Sequence, residues 1–196
     1  MSLTEPVLYV FFGLIASGKS TLSDLFGQKY GWPCYNTDRV RKELAGLAAS
    51  ERRAEGMGEG IYSPEFTKKT YQSLLDRARD DFKRGACAVI LDGSYGKRTD
   101  RRQVLDLAGT VGAQIFFILC SCSDDEVKRR LALRAKDPDA VSDGRWDIFI
   151  KQKESFEFPD ELQPNQLIRL NTESSPELLL VRLEQFVQTG LDNIPG

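Results

Sequence analysis

The segment GLIASGKS, residues 13–20, constrains the fold of this chain more than any other feature. It matches the pattern G-x-x-x-x-G-K-S/T, and Thr21 follows it. An apolar run without alternation, residues 7–12, precedes it, as expected of a strand buried on both faces. Residues 20–30 then carry apolar side chains at helical spacing. A strand, a glycine-rich turn and a helix in this order predict a phosphate-binding loop, here called the P-loop.

Each residue type of the P-loop has a chemical reason to be there. Glycines allow backbone N–H groups to turn toward phosphates, and the helix N-terminus adds its positive end. Lys19 is expected to reach the β- and γ-phosphates of a nucleotide, and Ser20 to bind Mg²⁺. The alternative is a glycine-rich turn with a surface lysine. The predicted nucleotide-binding residues are Gly13, Ala16, Ser17, Gly18, Lys19, Ser20 and Thr21.

Hydrophobic runs and helix signals alternate along the chain, which is the pattern of a parallel sheet with crossover helices. Strands are predicted at residues 7–12, 34–36, 88–91, 115–120 and 167–170. Helices are predicted at residues 20–30, 38–47, 64–84, 99–108, 123–134, 147–156 and 175–187. Irregular insertions are predicted at residues 46–62 and 137–144. The sequence therefore predicts one α/β domain, residues 1–196, with a five-stranded parallel sheet and helices on both faces.

The composition excludes several classes of function. The 27 Lys and Arg residues and 29 Asp and Glu residues give a net charge of −2, which argues against binding along an extended nucleic acid. The absence of His excludes Ser–His and Cys–His dyads and His-liganded metals. The four Cys form no C-x-x-C, and no apolar stretch is long enough to cross a membrane. We expect a cytoplasmic protein without a membrane partner.

Two charged residues follow the second predicted strand. Asp38 comes soon after this strand, and Arg41 lies one helical turn later on the same face. Ligands of parallel α/β sheets gather at the carboxyl ends of the strands, which places Asp38 beside the predicted phosphate site. Its carboxylate can accept the proton of an attacking hydroxyl group, and Arg41 can hold the substrate or the transferring phosphoryl group. Alternatively, Asp38 is only the N-cap of its helix.

Further charged residues follow the third predicted strand. Asp92 ends this strand, a pattern that delivers a carboxylate to the Mg²⁺ side of the phosphate site, with Ser20 as the second metal ligand. The alternative is an Asp that only forms a turn. Arg98 and Arg101 share the next helical face and can bind an anionic substrate, although solvated surface charge explains either residue equally well.

Two arginines on one helical face, Arg130 and Arg134, precede the turn-forming segment 137–144. This arrangement suits a lid, which we predict at about residues 134–146. Arginines that close on the nucleotide would neutralise charge in a loose phosphoryl-transfer transition state and exclude water. The alternative is a basic helix surface.

Several segments together resemble one family. They are GLIASGKST, NTDRVRKELAGL, YSPEFTKKTY, LDGSYGKRTDRR and the lid segment from RLALR to DPDAVSD. With these segments the chain resembles predicted kinases of the small P-loop kinase group. Members are often described as AAA-domain or zeta-toxin-like proteins and are related to the kinase half of polynucleotide 5′-kinases. The resemblance covers nearly the whole chain.

This resemblance implies a P-loop NTPase fold with strand order 2-3-1-4-5 and ATP-dependent phosphorylation of a hydroxyl group. It assigns Asp38 as general base and Arg41 as the phosphate-positioning arginine of a D-x-x-R motif. Asp92 matches the acidic residue after the third strand, where relatives often have Asp-Ala-Thr or Asp-Thr and this chain has DGS. Arg130 and Arg134 match the R-L-x-x-R start of the lid.

The expected function is an ATP- and Mg²⁺-dependent kinase that phosphorylates a hydroxyl group of a small molecule or of a nucleotide or polynucleotide 5′ end. The acceptor can be a polynucleotide, a nucleotide sugar or an antibiotic, and the sequence does not choose among them. By resemblance, Asn171 and Thr172 contact the base. A nucleotide-binding regulatory module is the alternative from a different class. Oligomeric state and the preference for ATP or GTP stay open.

Overall fold

The structure is a computed structural model that describes residues 5–48, 58–136 and 145–192. The predicted turn at 137–144, and with it most of the predicted lid, lies outside the described residues. So does the middle of the predicted insertion at 46–62. The described end of that insertion contains a short 3₁₀-helix, Gly60–Tyr62.

Five parallel strands form the sheet, in the order β2-β3-β1-β4-β5. This confirms the predicted sheet and its strand order. The strands are β1 (Val7–Phe12), β2 (Cys34–Asn36), β3 (Ala88–Asp92), β4 (Gln114–Ser121) and β5 (Leu167–Asn171).

Helices follow the strands as predicted, with ends that differ by a few residues. The described residues form α1 (Lys19–Tyr30), α2 (Thr37–Leu44), α3 (Pro64–Lys83), α4 (Arg98–Val111), α5 (Asp124–Lys136), α6 (Trp146–Ser155) and α7 (Pro176–Asp192). In the described part of the chain, no helix is both long and apolar enough to cross a membrane.

Helices cover both faces of the sheet, as the sequence predicts. All six residues of β1 are fully buried, and successive side chains point to opposite faces. Leu8, Val10 and Phe12 pack in the cluster that contains the buried residues of α3 and α4. Tyr9 and Phe11 pack in the cluster that contains the buried residues of α1 and α7. This two-sided burial explains why β1 reads as an uninterrupted apolar run.

A third, smaller cluster lies beside the P-loop. Ala16 of the P-loop packs there with Val127 and Leu131 of α5 and with Phe149 of α6. Helices α5 and α6, which flank the segment outside the described residues, are therefore anchored on the P-loop itself. All strands being parallel, their carboxyl ends meet at this same edge of the sheet.

Candidate active site

Two glycines give the P-loop its shape. Gly13 and Gly18 have φ values of +140° and +84°, in the region that favours glycine. A Cβ atom at Gly13 would overlap the carbonyl oxygen of Cys120 on β4. At Gly18 it would lie 2.9 Å from the Arg130 guanidinium. Ala16 also has a positive φ, +60°, so the loop keeps one costly backbone conformation between the two glycines.

The P-loop ends at the N-terminus of α1, which is suited to hold an anion. Gly18 is the N-cap residue and has no side chain that could accept from the first backbone N–H groups. The first turn of α1, described in full, contains no acidic residue. Its N–H groups and the positive end of the helix dipole are therefore available to a phosphate. Lys19, Ser20 and Thr21 lie in this turn.

Asp92 is the buried acid of the site. Its side chain is fully enclosed, and Oδ2 accepts a hydrogen bond of 2.5 Å from Nδ2 of Asn36. The other oxygen, Oδ1, has no hydrogen-bond partner among the described residues. Burial raises the pKa of this carboxyl, while the charge of Lys19 and the hydroxyl of Ser20 act in the opposite direction. A buried carboxylate oxygen without a partner is costly unless a ligand completes it.

This donor set fits Mg²⁺ bound together with a nucleotide. The described residues contain no group of three or more acidic, Cys or His side chains that could enclose a metal ion by themselves. Mg²⁺ is commonly held by one or two protein oxygens while waters and substrate phosphates complete its shell. The hydroxyl of Ser20, at the end of the P-loop, and the free oxygen of the neighbouring Asp92 are such a pair.

Asn36 connects these groups, although no sequence motif pointed to it. Its Nδ2 also donates to Oγ of Ser20 at 3.2 Å. Its Oδ1 accepts from the backbone N–H groups of Asp38 and Arg39 at 3.0 and 3.1 Å, which makes Asn36 the N-cap of α2. The alternative that Asp38 is the N-cap is therefore wrong. The available signal was an Asn at the end of a strand and one residue before a helix.

Because Asn36 caps α2, the carboxylate of Asp38 is left for another role. It is 29% exposed and accepts a hydrogen bond of 3.1 Å from Nη1 of Arg41. The Arg41 guanidinium lies over the ring of Tyr62, 4.9 Å from its centroid. Nε of Arg41 is buried and has no hydrogen-bond partner among the described residues. The structure therefore brings Asp38 and Arg41 together, as the helical spacing predicts.

Arg130 lies against the P-loop. Nη1 donates to the carbonyl oxygen of Ala16 at 3.1 Å and to Oγ1 of Thr172 at 3.0 Å. Nη2 donates to the carbonyl oxygen of Thr172 at 2.7 Å, and Nε donates to Glu126 at 2.7 Å. The Thr172 hydroxyl in turn donates to the carbonyl oxygen of Ser17 at 2.6 Å. Thr172 thus contacts the P-loop backbone, a role that the resemblance did not suggest.

The charges of Asp38 and Asp92 both act on Arg134. Burial lowers the pKa of its guanidinium, and the negative charges of Asp38 and Asp92 act in the opposite direction. Arg130 and Arg134 also line a cavity of about 730 Å³ that extends from Gly18 between α5 and the segment after β5. Ligand pockets have this size. The two predicted lid arginines therefore face the same cavity as the P-loop.

The predicted substrate residues Arg98 and Arg101 both form ion pairs with acidic residues of the segment after α6. Arg101 is fully buried, pairs with Glu161 at 2.5 Å and donates to the carbonyl oxygen of Tyr95 at 2.9 Å. Its guanidinium contacts protein groups and not solvent, so it does not face a substrate in this structure. Arg98 is 56% exposed and pairs with Asp160 and Glu161. The face of α4 that Arg98 and Arg101 share therefore contacts the acidic segment after α6.

The chain matches the family model described as AAA domain (AAA_33) over residues 8–159. It belongs to this family. The match contains the P-loop, both acids and both lid arginines. This match and the similar solved kinases together confirm the relationship to P-loop kinases that the motifs indicated.

Among curated proteins, the chain is 30% identical over 119 residues to the uncharacterized protein Rv2004c of Mycobacterium tuberculosis strain H37Rv. The alignment covers 61% of this chain and 24% of that protein. The matching part therefore spans about a quarter of the relative. An uncharacterized protein of Mycobacterium bovis, Mb2027c, matches with the same values.

Solved P-loop kinases share the fold. A sugar kinase from Janibacter sp. HTCC2649 has a TM-score of 0.67 at 19% identity, over 93% of this chain and 95% of that one. A gluconokinase from Sinorhizobium meliloti 1021 has a TM-score of 0.60 at 15% identity, over 97% and 94%. The Mycobacterium tuberculosis APS kinase CysC, in complex with AMPPNP and APS, has a TM-score of 0.60 at 16% identity, over 94% and 98%. This chain therefore has a P-loop kinase fold.

Two replacements of Asn36 separate its role as the cap of α2 from its contacts with Asp92 and Ser20. We expect Asn36→Ala to lower the free energy of unfolding by about 1 kcal/mol through loss of the cap. We also expect about tenfold weaker binding of Mg²⁺-ADP, because Asp92 and Ser20 lose the amide that orients them. Asn36→Ser keeps a capping oxygen, so it should regain most of the stability and little of the affinity. Urea unfolding and calorimetric titration measure the two quantities. Wild-type affinity in the serine variant would show that Asn36 is only a cap.

Proposed function

We propose that this protein is an ATP- and Mg²⁺-dependent kinase that transfers the γ-phosphate to a hydroxyl group of a small molecule or of a nucleotide or polynucleotide 5′ end. The observation that carries this proposal is a convergence at one sheet edge. Asp92 is a buried acid with a free oxygen, and Asp38 is a partly exposed acid paired with Arg41. The charges of Lys19 in the P-loop and of Asp38 both act on Asp92, so the three groups belong to one site. The P-loop kinase fold supports a nucleotide-dependent phosphotransferase.

The proposed step is an in-line displacement. The acceptor oxygen forms a bond to the γ-phosphorus while the bond between that phosphorus and the β,γ-bridging oxygen breaks. ADP leaves with the electron pair of that bond. The hydroxyl proton moves to the carboxylate of Asp38, which later releases it to water. Arg41 donates a hydrogen bond of 3.1 Å to Oδ1 of Asp38 and so orients the carboxylate that accepts the proton.

Other residues hold the nucleotide and its charge. The α1 N-terminus and Lys19 bind the phosphates, and Ser20 and Asp92 would hold Mg²⁺. When bound, Mg²⁺ neutralises charge on the β- and γ-phosphates. The negative charges of Asp38 and Asp92 both act to raise the pKa of the Arg134 guanidinium, which supports a role beside the transferring phosphoryl group.

Two observations support a hydroxyl group as the acceptor: the position of Asp38 and the names of similar solved structures. A carboxylate beside the phosphate site can act as a base toward a hydroxyl group. Two of the similar structures are named as a sugar kinase and a gluconokinase, and those names refer to hydroxyl-bearing small molecules. These observations favour a hydroxyl acceptor.

The test is transfer of label from γ-³²P-ATP in the presence of Mg²⁺ to a panel of acceptors: 5′-hydroxyl oligonucleotides, nucleosides, nucleotide sugars, sugars, and aminoglycoside and phenicol antibiotics. We expect wild type to label one class, and Lys19→Ala to lose at least about 10²-fold in rate because the phosphates lose their charged partner. Lys68→Ala, an exposed lysine on α3, is the matched control and should keep the wild-type rate.

Two outcomes would contradict the proposal. An undiminished rate in Lys19→Ala would exclude the P-loop mechanism. Tight ATP binding without transfer to any acceptor, together with nucleotide-dependent capture of a protein partner, would instead support a regulatory module.

A further inference from the structure

One peptide of the P-loop, between Leu14 and Ile15, is held on both sides. Its carbonyl oxygen accepts hydrogen bonds from the backbone N–H of Ser17 at 3.2 Å and from Nζ of Lys19 at 3.3 Å. Its N–H group donates to Oε1 of Gln152 at 2.9 Å. In a trans peptide the C=O and N–H groups point in opposite directions. Gln152 and Lys19 therefore hold the same peptide from opposite sides.

Gln152 is the polar residue on the inward face of α6. Phe149, three residues earlier, is buried in the cluster with Ala16. Phe156, four residues later, stacks against Phe12 at the end of β1, with ring centroids 6.4 Å apart. Gln152 lies between these aromatic anchors, whereas the adjacent Lys151 is exposed. A polar group in such a position needs a partner, and Gln152 finds it 137 residues earlier in the chain.

The orientation of the glutamine amide follows from chemistry. The partner is a backbone N–H donor, so only the amide oxygen of Gln152 can accept from it. The oxygen thus faces the outer side of the P-loop, while Lys19 lies on the inner side where the phosphates are expected.

We propose that Gln152 is a positioning residue for Lys19. By accepting from the Ile15 N–H group, it fixes the orientation of the Leu14–Ile15 peptide and so the carbonyl oxygen that holds the Lys19 ammonium. A lysine held in place before the nucleotide arrives loses less conformational freedom on binding and meets the phosphates in a defined geometry. This inference deepens the proposed function, since it rests on Lys19 as the phosphate-binding cation.

The test compares two replacements of Gln152 with a control on the same helix. Gln152→Met keeps the length of the side chain and removes the acceptor, while Gln152→Glu keeps an acceptor oxygen. We expect Gln152→Met to weaken binding of Mg²⁺-AMPPNP about tenfold, the equivalent of one hydrogen bond. Gln152→Glu should lie closer to wild type. Lys151→Met changes an exposed neighbour and should bind as wild type does. Calorimetric titration gives the affinities, and thermal melting checks that each variant is folded.

A double-mutant cycle separates positioning from packing. If Gln152 acts through Lys19, then Gln152→Met should cause no further loss of affinity in the Lys19→Met background. Additive losses would overturn the proposal, because they would show that Gln152 acts independently of Lys19. A weaker affinity for Gln152→Glu than for Gln152→Met would also overturn it, since that order shows that charge beside the P-loop, and not the accepting oxygen, decides the affinity.

The same measurements distinguish this inference from the proposed function. If wild type does not bind Mg²⁺-AMPPNP, the proposed function itself fails. If wild type binds it and Gln152→Met binds it equally well, the inference on Gln152 fails and the proposed function stands.

Discussion

We expect Asp38→Asn to slow phosphoryl transfer about 10²- to 10⁴-fold, the range that general base catalysis contributes. An amide cannot take the proton of the acceptor hydroxyl group, but its oxygen can still accept from Arg41. The cap of α2 belongs to Asn36, so the replacement should leave the helix intact. Nucleotide affinity should stay close to wild type because Asp38 lies outside the P-loop. Transfer rates and calorimetric titration with Mg²⁺-AMPPNP test both expectations.

The control for this replacement is another carboxylate changed in the same way. Asp125 on α5 is 94% exposed and pairs only loosely with Lys128, at 3.4 Å, so Asp125→Asn should keep the wild-type rate. If Asp38→Asn also transfers phosphate to the physiological acceptor at the wild-type rate, Asp38 is not the base. A loss of rate that accompanies an equal loss of nucleotide affinity would indicate a binding role instead.

The sequence predicted those parts of the site that depend on local pattern. The P-loop is recognisable because its glycines, Lys19 and Ser20 are contiguous and lie between a strand and a helix. Asp38 and Asp92 could be placed because each follows a strand of a parallel sheet, and the carboxyl ends of such strands meet. Helical spacing was sufficient to pair Asp38 with Arg41, a contact that the structure contains at 3.1 Å.

Contacts between distant segments could not be predicted in this way. Thr172 binds the carbonyl oxygen of Ser17, 155 residues earlier, and no local pattern encodes that pair. Gln152 offered a weaker signal, because it lies at helical spacing from two aromatic residues, Phe149 and Phe156, that predict an apolar face. Arg101 shows a second limit of local pattern. Helical spacing correctly put it on one face with Arg98, but spacing cannot tell that this face is covered by another segment.

The segment after α6, which covers Arg101, leads to a prediction about stability. The guanidinium of Arg101 is fully buried, and Glu161 neutralises it through Nε and Nη2 at 2.5 and 3.1 Å. Glu161→Ala leaves that charge buried without its partner, and we expect it to lower the free energy of unfolding by about 3 kcal/mol. The adjacent Asp160 is 67% exposed and pairs with the exposed Arg98, so Asp160→Ala should cost less than about 1 kcal/mol. Urea unfolding of the two alanine variants measures the difference.

The ion pair between Arg101 and Glu161 also makes stability depend on pH in a defined direction. Burial raises the pKa of Glu161, but hydrogen bonds from Arg101 and the charges of Arg101 and Arg98 outweigh this effect. The pKa of the Glu161 carboxyl in the folded chain therefore lies below its ordinary value of 4.5. The unfolded chain then binds more protons than the folded chain between these two pKa values, and stability rises with pH there. The stabilisation from Glu161 is complete above the ordinary pKa and is lost as the pH falls through the lowered one.

The difference in unfolding free energy between wild type and Glu161→Ala should therefore be largest at neutral pH and shrink on acidification below 4.5.

The ion pair between Arg101 and Glu161 also supports the candidate active site. Arg101 donates to the carbonyl oxygen of Tyr95, whose φ of +40° is strained for a residue other than glycine. Tyr95 follows Asp92 by three residues, so release of Arg101 should loosen the segment that positions this acid. Equal unfolding free energies for Glu161→Ala and Asp160→Ala at neutral pH would show that Arg101 does not depend on Glu161.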